Sequence, residues 1–537
     1  MTAGGWQLRG GVSKAETVFP DAELKTAGVE DCDGEGSPEG NVGILRKLSA
    51  FARSRSGNVA TVFCILLAPL TVLAGGAVDF NQAMNARARL SEALDAAGLA
   101  VATRPELSAA EAEQVALDFI QANYPARDVG NVQNVSVSLD NVTGTVRISG
   151  ESEVRTALLG LIGMDAITVD WEAEIQQARQ NLELVMVLDN TGSMSGQKLT
   201  SLRNAALTLT DALHSNAPEP DRLRIGLVPF AATVNVGTSH ARAWWLDPDG
   251  RSPVHGEWFG SGSRPTHWEL FDAMSNVSWG GCVEARPIPY DVDDTEPDNR
   301  NPSTLFVPYL APDEPDTGGF RNNYLPDDDG TRTLAQRMSG LAKYDGGRPS
   351  GGNPNASCTS RPITPLTTSR RTIDTALNAM QARGNTNVAM GIGWGVRVLS
   401  PQAPFTEGRA YGDRDTIKAM IILTDGENVM SGGNGALMSE YAAYGHAVND
   451  RLGVRSASGT VLSRAVDDRT AAACRVAREN GIRVYAITFQ VRDNRTRDLM
   501  RDCASNPALY FDSPDNETLQ TVFELIAGDL TNLRISR

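Results

Sequence analysis

The longest run of apolar residues without a single charged side chain lies at positions 59–78. A helix of this length spans ~30 Å, which is the thickness of the hydrocarbon core of a bilayer. The pattern therefore predicts one transmembrane helix. Two alternatives remain open: a buried helix of a soluble domain, and a cleaved signal peptide, for which the 58 preceding residues would be a long leader.

The charges on either side of this span predict its orientation. Four basic residues lie between positions 46 and 55, whereas Asp79 follows the span directly. By the positive-inside rule, the N-terminus is predicted to be cytoplasmic and the chain from residue 79 onward to lie outside the cytoplasm. Residues 1–45 are acidic, contain several glycines and show no hydrophobic period, which predicts a disordered cytoplasmic tail.

The hydrophobic period changes after the span. Residues 79–103 are rich in Ala, Leu and Arg, and we expect them to continue the helix outward as a stalk, so that 46–103 form the membrane helix and stalk. Residues 104–180 then predict a small α+β domain next to the membrane, because an amphipathic helix is followed by stretches in which apolar and polar residues alternate. The helix is predicted at 107–124 and the antiparallel strands at 132–140, 144–154 and 166–175.

From residue 181 to 537 the pattern becomes that of an α/β domain. Nearly continuous apolar runs, typical of buried parallel strands, alternate with helical patterns, which predicts a doubly wound, mostly parallel sheet. The strands are predicted at 182–189, 224–231, 419–425 and 484–490, and the helices at 197–214, 372–382, 463–480 and 516–533.

Two long insertions interrupt this domain, at about 237–361 and 427–461. Both are rich in turn-forming residues. The first holds five of the eight tryptophans, and a disordered segment would be poor in aromatic residues. We therefore expect the first insertion to be partly folded.

Composition narrows the classes of function. Asp and Glu outnumber Lys and Arg by 65 to 49, for a net charge of −16, which disfavours nucleic acid as a partner and leaves cation binding open. The six cysteines include no CxxC pair, and the five histidines form no HExxH motif. A zinc hydrolase is therefore not expected.

A candidate cation site follows the first strand of the α/β domain, where Asp189, Thr191 and Ser193 alternate along a strand-to-helix turn. A carboxylate and two hydroxyls form an oxygen-only set of ligands, which suits Mg²⁺ or Mn²⁺ rather than zinc. Because ligands bind at the carboxyl ends of parallel strands, we expect further ligands from neighbouring strand ends, with Thr386 and Asp425 as candidates. The alternative is a helix-capping turn without a metal.

Four cysteines lie well beyond the span and, outside the cytoplasm, could form disulfides. We predict that Cys282 pairs with Cys358, since both lie in the first insertion. We predict that Cys474 pairs with Cys503, since both lie on helices flanking one strand. The other two cysteines, in the tail and in the span, are expected to stay reduced. The alternative is four unpaired thiols in a reducing compartment.

The segments DNTGSM, GNTN and ILTDGEN resemble the three parts of the metal-ion-dependent adhesion site of von Willebrand factor A domains. The resemblance implies a von Willebrand A-like fold in which Thr191, Ser193 and Thr386 bind Mg²⁺ (or Mn²⁺ or Ca²⁺) directly. It implies that Asp189 and Asp425 act directly or through water, and that an acidic group of a protein partner completes the shell. Thr191 stands where the family commonly has Ser.

The stretch RSRSGNVATVFCILLAPLTVLAGGAVDFNQAMNARARLSEALDAAGLAVA resembles the TadE/G-like membrane segment of tight-adherence (Flp) pilus-assembly proteins, and the order of parts is similar to that of TadG-type proteins. The resemblance implies a single-pass protein of the inner (cytoplasmic) membrane whose bulk is periplasmic or at the cell surface. It also implies a non-enzymatic binding or assembly role, with pilus-assembly components as partners.

The alternative function is an exported divalent-metal-dependent hydrolase or a chelatase-like subunit that uses the same ion. A hydrolase needs a general base beside the metal, and Glu427 is the nearby candidate.

Overall fold

The structure is a computed structural model that describes most of the chain. The described residues are 58–104, 107–124, 130–140, 145–176, 180–215, 220–259, 264–327, 333–433 and 435–535. The predicted acidic tail and Cys32 lie outside the described residues.

The chain divides into two compact units, Met1–Ala77 and Val78–Arg537. The long helix α1 (Asn58–Ala102) begins in the first unit. Within the described residues, one helical segment, Val62–Ala102, is long and apolar enough to cross a membrane. In the first unit its large apolar side chains are exposed, which is the arrangement expected of side chains solvated by lipid. Cys64 lies among them as a free thiol, as predicted.

The second unit begins with a small core built on an antiparallel sheet. Strands β1 (Asn131–Asp140), β2 (Thr145–Arg155) and β3 (Ala166–Gln176) pair in that order. Helix α2 (Ala109–Asn123) packs on β1 and begins at a capping box formed by Ser108 and Glu111. The alternating stretches therefore form strands as expected.

The outer part of α1 does not stand apart as a stalk. Its buried face includes Ala86, Leu90 and Leu94, which belong to the same hydrophobic core as the three-stranded sheet. The four-residue spacing places these side chains on one side of a helix, and the sheet has a matching apolar face to bury. The predicted domain boundaries stay a prediction, but the core crosses the one drawn at residue 103.

The α/β region is a mixed α/β fold around one sheet, which has eight strands within the described residues. Its strands run in the order β11, β10, β9, β4, β5, β6, β7, with β8 also paired to β5. The five strands from β11 to β5 are parallel, and the three short ones are joined by antiparallel pairing. Their bounds are β4 (Asn181–Asp189), β5 (Leu223–Phe230), β6 (Val234–Asn235), β7 (Cys282–Val283), β8 (Thr364–Thr367), β9 (Thr416–Thr424), β10 (Arg483–Phe489) and β11 (Tyr510–Ser513).

Helices pack around this sheet in two sets. The bounds are α3 (Gln197–Ser215), α4 (His267–Ala273), α5 (Leu334–Met338), α6 (Arg370–Ala379), α7 (Val388–Leu399), α8 (Gly459–Glu479), α9 (Asn494–Cys503) and α10 (Asn516–Ile535). Helix α3 packs against α6 and α10, whereas α7 packs against α8, and α8 against α9.

The sequence patterns missed helix α7 (Val388–Leu399). All of its residues are buried, so it shows no alternation of polar and apolar faces, and its three glycines suggest a loop. The glycines have a packing role, because a Cβ on Gly391 would lie 2.7 Å from Phe230 and one on Gly395 would lie 2.7 Å from Val187. The helix can therefore approach β4 and β5 closely.

The two insertions fold against one another. The first contains few regular elements, but it buries Trp245, Trp268 and Trp279 and adds β7 to the sheet edge. Arg451 of the second insertion donates to Glu257 and Glu284 of the first, at 2.8 and 2.7 Å. The first insertion is thus folded, as its aromatic content predicted.

Both predicted disulfides are present. Cys282 and Cys358 staple the first insertion, with Cα atoms 5.5 Å apart. Cys474 on α8 and Cys503 on α9 are joined with Cα atoms 5.0 Å apart.

Replacing both Cys474 and Cys503 by Ser is expected to lower the free energy of unfolding by about 3 kcal/mol, because the lost cross-link no longer restricts the unfolded chain. The two cysteines are 29 residues apart. Denaturant unfolding of the detergent-solubilised full chain measures the effect, and Cys64→Ser, which removes a free thiol, is the control. An unchanged midpoint, or peptide mapping in which Cys474 pairs with another cysteine, would contradict the assignment.

Candidate metal centre

The site forms where two neighbouring parallel strands end. Strands β4 and β9 pair in a register that sets Leu188 beside Leu423, so the residues that follow them, Asp189 and Thr424, come to the same edge of the sheet. The Thr424 hydroxyl donates to Oδ2 of Asp189 at 2.8 Å. Parallel pairing thereby brings two predicted site segments together, although they are more than 200 residues apart in the chain.

A chain of close polar contacts joins four of the five predicted ligands. Oδ1 of Asp189 accepts from the backbone N–H of Thr191 at 2.8 Å and from its hydroxyl at 2.5 Å. The hydroxyls of Thr191 and Ser193 lie 2.9 Å apart, and Ser193 donates to Oδ1 of Asp425 at 2.6 Å. The alternating side chains of the turn therefore converge as the D-x-T-x-S spacing predicts.

The fifth candidate, Thr386, arrives on a third loop that is held by backbone hydrogen bonds. The Gly192 N–H donates to the carbonyl of Gly384 at 2.9 Å, and the Val429 N–H donates to the carbonyl of Thr386 at 2.8 Å. Thr386 and Ser193 line one cavity of about 510 Å³. Thr386 lines this cavity together with Ser193. Its side chain makes no hydrogen bond to the other four predicted ligands within the described residues.

The two carboxylates are buried and differ in how their charge is balanced. Burial and the nearby negative charge of Asp425 raise the pKa of Asp189 to about 6, while hydrogen bonds from Thr191 and Thr424 oppose the shift. Asp425 has a cationic partner, because Nζ of Lys198 lies 2.7 Å from its Oδ2. Within the part of the chain that the structure describes, no basic side chain pairs with Asp189.

Sequence reasoning missed the role of Lys198. It lies in the first turn of α3, directly after the D-x-T-x-S turn, and Gly196 before it adopts the left-handed conformation at φ +77°. The sequence did contain a signal for this role, namely a lysine shortly after the D-x-T-x-S turn. The position of Asp425 on the neighbouring strand, which only the fold reveals, gives that lysine its partner.

The donor set fits a hard divalent cation. The groups that converge are two carboxylates and several hydroxyls, the oxygen ligands that Mg²⁺ and Mn²⁺ prefer. Beside them, both polar atoms of the Asn190 side chain are buried without a hydrogen-bond partner. Over the described ranges, no three residues among His, Cys, Asp and Glu cluster as metal ligands, so a site here depends on hydroxyl groups.

Residues 57–104 match the sequence model of the Tad family, described as "Putative Flp pilus-assembly TadE/G-like". The N-terminal apolar segment is therefore similar to the TadE/G-like segments of Flp pilus-assembly proteins, as its sequence predicted. No curated protein matches the chain.

Solved structures similar to this chain include two pilus proteins and a byssus protein. The pilus adhesin SpaC of Lactobacillus rhamnosus GG is 13% identical, with 75% of this chain and 35% of SpaC covered and a TM-score of 0.32. The von Willebrand factor domain of the type V pilus tip protein Mfa5 of Porphyromonas gingivalis is 10% identical, with 67% and 97% covered and a TM-score of 0.34. Proximal thread matrix protein 1 of the mussel byssus, solved with a zinc-occupied MIDAS motif, is 10% identical, with 66% and 47% covered and a TM-score of 0.28.

The chain thus spans about a third of the length of SpaC. The TM-scores of all three lie below 0.5.

The raised pKa of Asp189 predicts a pH dependence of the metal-free protein. A carboxyl whose pKa is about 6 when folded and ~3.9 when unfolded binds more protons in the folded state, so its contribution to stability is lost as pH rises through 6. Asp189→Asn removes this titration. In EDTA, the free energy of unfolding of Asp189→Asn relative to the wild type should therefore rise between pH 4.5 and 7.5, by on the order of 2 kcal/mol.

Asp468→Asn, an exposed substitution on α8, controls for the loss of one charge. A difference between Asp189→Asn and wild type that stays constant across this pH range would contradict the electrostatic account of Asp189.

Proposed function

We propose that this is a membrane-anchored, periplasm-facing binding or assembly protein of a Tad/Flp-type pilus or adhesion system, and that its binding depends on a divalent metal. The observation that carries the proposal is the chain of close polar contacts from Asp189 through Thr191 and Ser193 to Asp425 at adjacent strand ends. The TadE/G-like match at 57–104 supports the pilus context.

The proposed fold of the α/β region is the doubly wound sheet of a von Willebrand A-like domain. Its support is the run of parallel strands from β11 to β5, together with two sets of helices, one containing α3 and α10 and the other α7 and α8. The proposed domains keep the predicted boundaries 104–180 and 181–537, and the first shares its core with the end of α1.

In the proposed site, Thr191, Ser193 and Thr386 would hold Mg²⁺, or Mn²⁺ or Ca²⁺, directly, and Asp189 and Asp425 would hold it directly or through water. The cation would supply a positive centre to which the acidic group of a protein partner binds. The chain itself positions the ligands: Thr424 holds one oxygen of Asp189, and Lys198 holds one oxygen of Asp425. Each carboxylate thereby keeps its other oxygen toward the hydroxyls of the turn.

The proposed anchor is the apolar span, with the N-terminus in the cytoplasm and the bulk of the chain in the periplasm or at the cell surface. The basic residues before the span and Asp79 after it support this orientation. Both disulfides lie beyond the span, which fits an oxidising compartment. Pilus-assembly components are the proposed partners.

One observation favours the hydrolase alternative. Glu427 is exposed and lines the cavity shared by Ser193 and Thr386, where a general base would have to lie. Among the described residues that line the cavity there is neither a His nor a Lys to assist it. A turnover screen with Mg²⁺ or Mn²⁺ separates the two functions, and Glu427→Gln would abolish activity only in the hydrolase.

Millimolar Mg²⁺ or Mn²⁺ is expected to raise the unfolding temperature of the wild-type chain, because a ligand that binds only the folded state stabilises it by about 2.7 kcal/mol at 100 times its Kd. Asp189→Ala and Ser193→Ala should each abolish this shift. Asp468→Ala, which removes an exposed carboxylate of α8, should keep it. A wild type that shows no shift with either metal would overturn the metal-dependent function.

Lys198→Met is expected to change the metal-free and metal-bound states in opposite directions. In EDTA it should lower the unfolding temperature, because it leaves the Asp425 carboxylate buried without its cation. It should also tighten the Kd for Mg²⁺ by on the order of tenfold, because a positive charge beside the site is removed. Lys198→Arg, which keeps the charge, should change both quantities less. A weaker affinity in Lys198→Met would show that the lysine only supports the local structure.

A further inference from the structure

The first residue after the apolar span is tied to a distant loop. Asp79 is almost fully buried, at 2% exposure, and its carboxylate accepts three backbone hydrogen bonds from the connection between β2 and β3. The donors are the N–H groups of Ala157 at 3.0 Å, Leu158 at 2.8 Å and Leu159 at 2.7 Å. The loop is therefore held within a hydrogen bond of the residue that follows the span.

This connection presents large apolar side chains to the outside. It contains a short 3₁₀ turn, Leu159–Ile162, that ends at Gly163. Leu161 is 77% exposed, Ile162 56% and Met164 51%. Beyond α1, the other large apolar side chains exposed in the described part of the chain occur singly along the sequence, which is normal for a soluble surface. Three within four positions is a local concentration.

The Asp79 carboxylate pairs backbone N–H groups that would otherwise lack hydrogen-bond partners near lipid. The first N–H groups of a helical turn have no partner within the turn, and leaving them unpaired away from water is costly. Asp79 accepts from three successive N–H groups at this place. The loop can thus present an apolar tip while its backbone donors remain bonded.

We propose that the loop 158–164 dips into the interfacial region of the bilayer beside the end of the span, with Leu161, Ile162 and Met164 as its lipid contacts. The proposal rests on the membrane anchoring stated above. Arg155 and Asp165, both exposed, flank the apolar tip and limit the insertion to a shallow depth. The loop is then a second membrane contact that fixes how the small core sits on the membrane surface.

A bilayer suits this surface better than a protein partner does. Three side chains are far too few for a stable protein interface, which needs ~800 Å² from each partner. A surface that is already tethered to a membrane needs no such area, because the anchor keeps the loop next to lipid at all times. The hydrogen bonds to Asp79 tie the loop to the point where that anchor leaves the apolar span.

The test uses the full chain in liposomes that contain lipids with nitroxide-labelled acyl chains. An environment-sensitive fluorophore is attached to one thiol at a time in a Cys32→Ser background. The three positions are the native Cys64 in the span, Ile162→Cys in the loop, and Leu341→Cys, an exposed apolar position of the first insertion; Cys64→Ser accompanies the last two.

We expect the nitroxide lipids to quench the fluorophores at 64 and 162 and to leave the one at 341 bright. Quenching at 64 without quenching at 162 would overturn the loop proposal and leave the anchor intact. A blue-shifted but unquenched signal at 162 would also overturn it, because the loop would then be covered by protein. Absence of quenching at 64 would overturn the anchor, and the loop proposal with it.

Asp79→Ala tests the hydrogen bonds that hold the loop. It should remove most of the quenching at 162 while leaving that at 64 unchanged. Asp170→Ala, an exposed carboxylate of β3, is the matched control and should keep both signals. Should Asp79→Ala fail to fold, Leu161→Ser combined with Met164→Ser carries the same expectation, since it removes the neighbouring lipid contacts and leaves Asp79 in place.

Discussion

Two buried carboxylates at neighbouring strand ends are the constraint on which the candidate metal centre depends. Asp189 and Asp425 are brought together by the parallel pairing of β4 with β9, and burial together with the charge of Asp425 raises the pKa of Asp189. Asp425 pairs with Lys198, whereas the partners of Asp189 among the described residues are hydroxyl and N–H donors. A fold that keeps such a pair in one place suits a cation between them, and the hydroxyls of the oxygen-rich turn are the proposed ligands.

The second insertion borders this edge of the sheet. The second insertion begins beside the site, where the N–H of Val429 binds the carbonyl of Thr386, and it ends at α8, whose Thr460 lines the same cavity. It is also fastened to the first insertion through Arg451, which pairs with Glu257 and Glu284. The start and the end of the second insertion therefore form part of the cavity wall, so this interruption of the sheet bears on what the cavity can accept.

The small core is built around the helix that follows the apolar span. Its sheet packs on the outer part of α1, and Asp79 ties the β2–β3 connection to the helix directly after the apolar span. The outer part of α1 is therefore part of a folded core and does not form a free stalk.

The sequence alone determined the features that are local or periodic. Alternating residues predicted the small antiparallel sheet, apolar runs ending in Asp189 and Asp425 predicted parallel strands, and the D-x-T-x-S spacing predicted which oxygens would converge. Cysteine positions within their elements also predicted both disulfides. Tertiary structure alone decided the rest. Helix α7 carries no periodic signal because it is buried all round, and the buried face of α1 is recognisable only once the sheet that it covers is known. Lys198 pairs with Asp425, which lies 227 residues away in the sequence. The two side chains meet because β4 pairs with β9, and the sequence alone does not reveal this pairing.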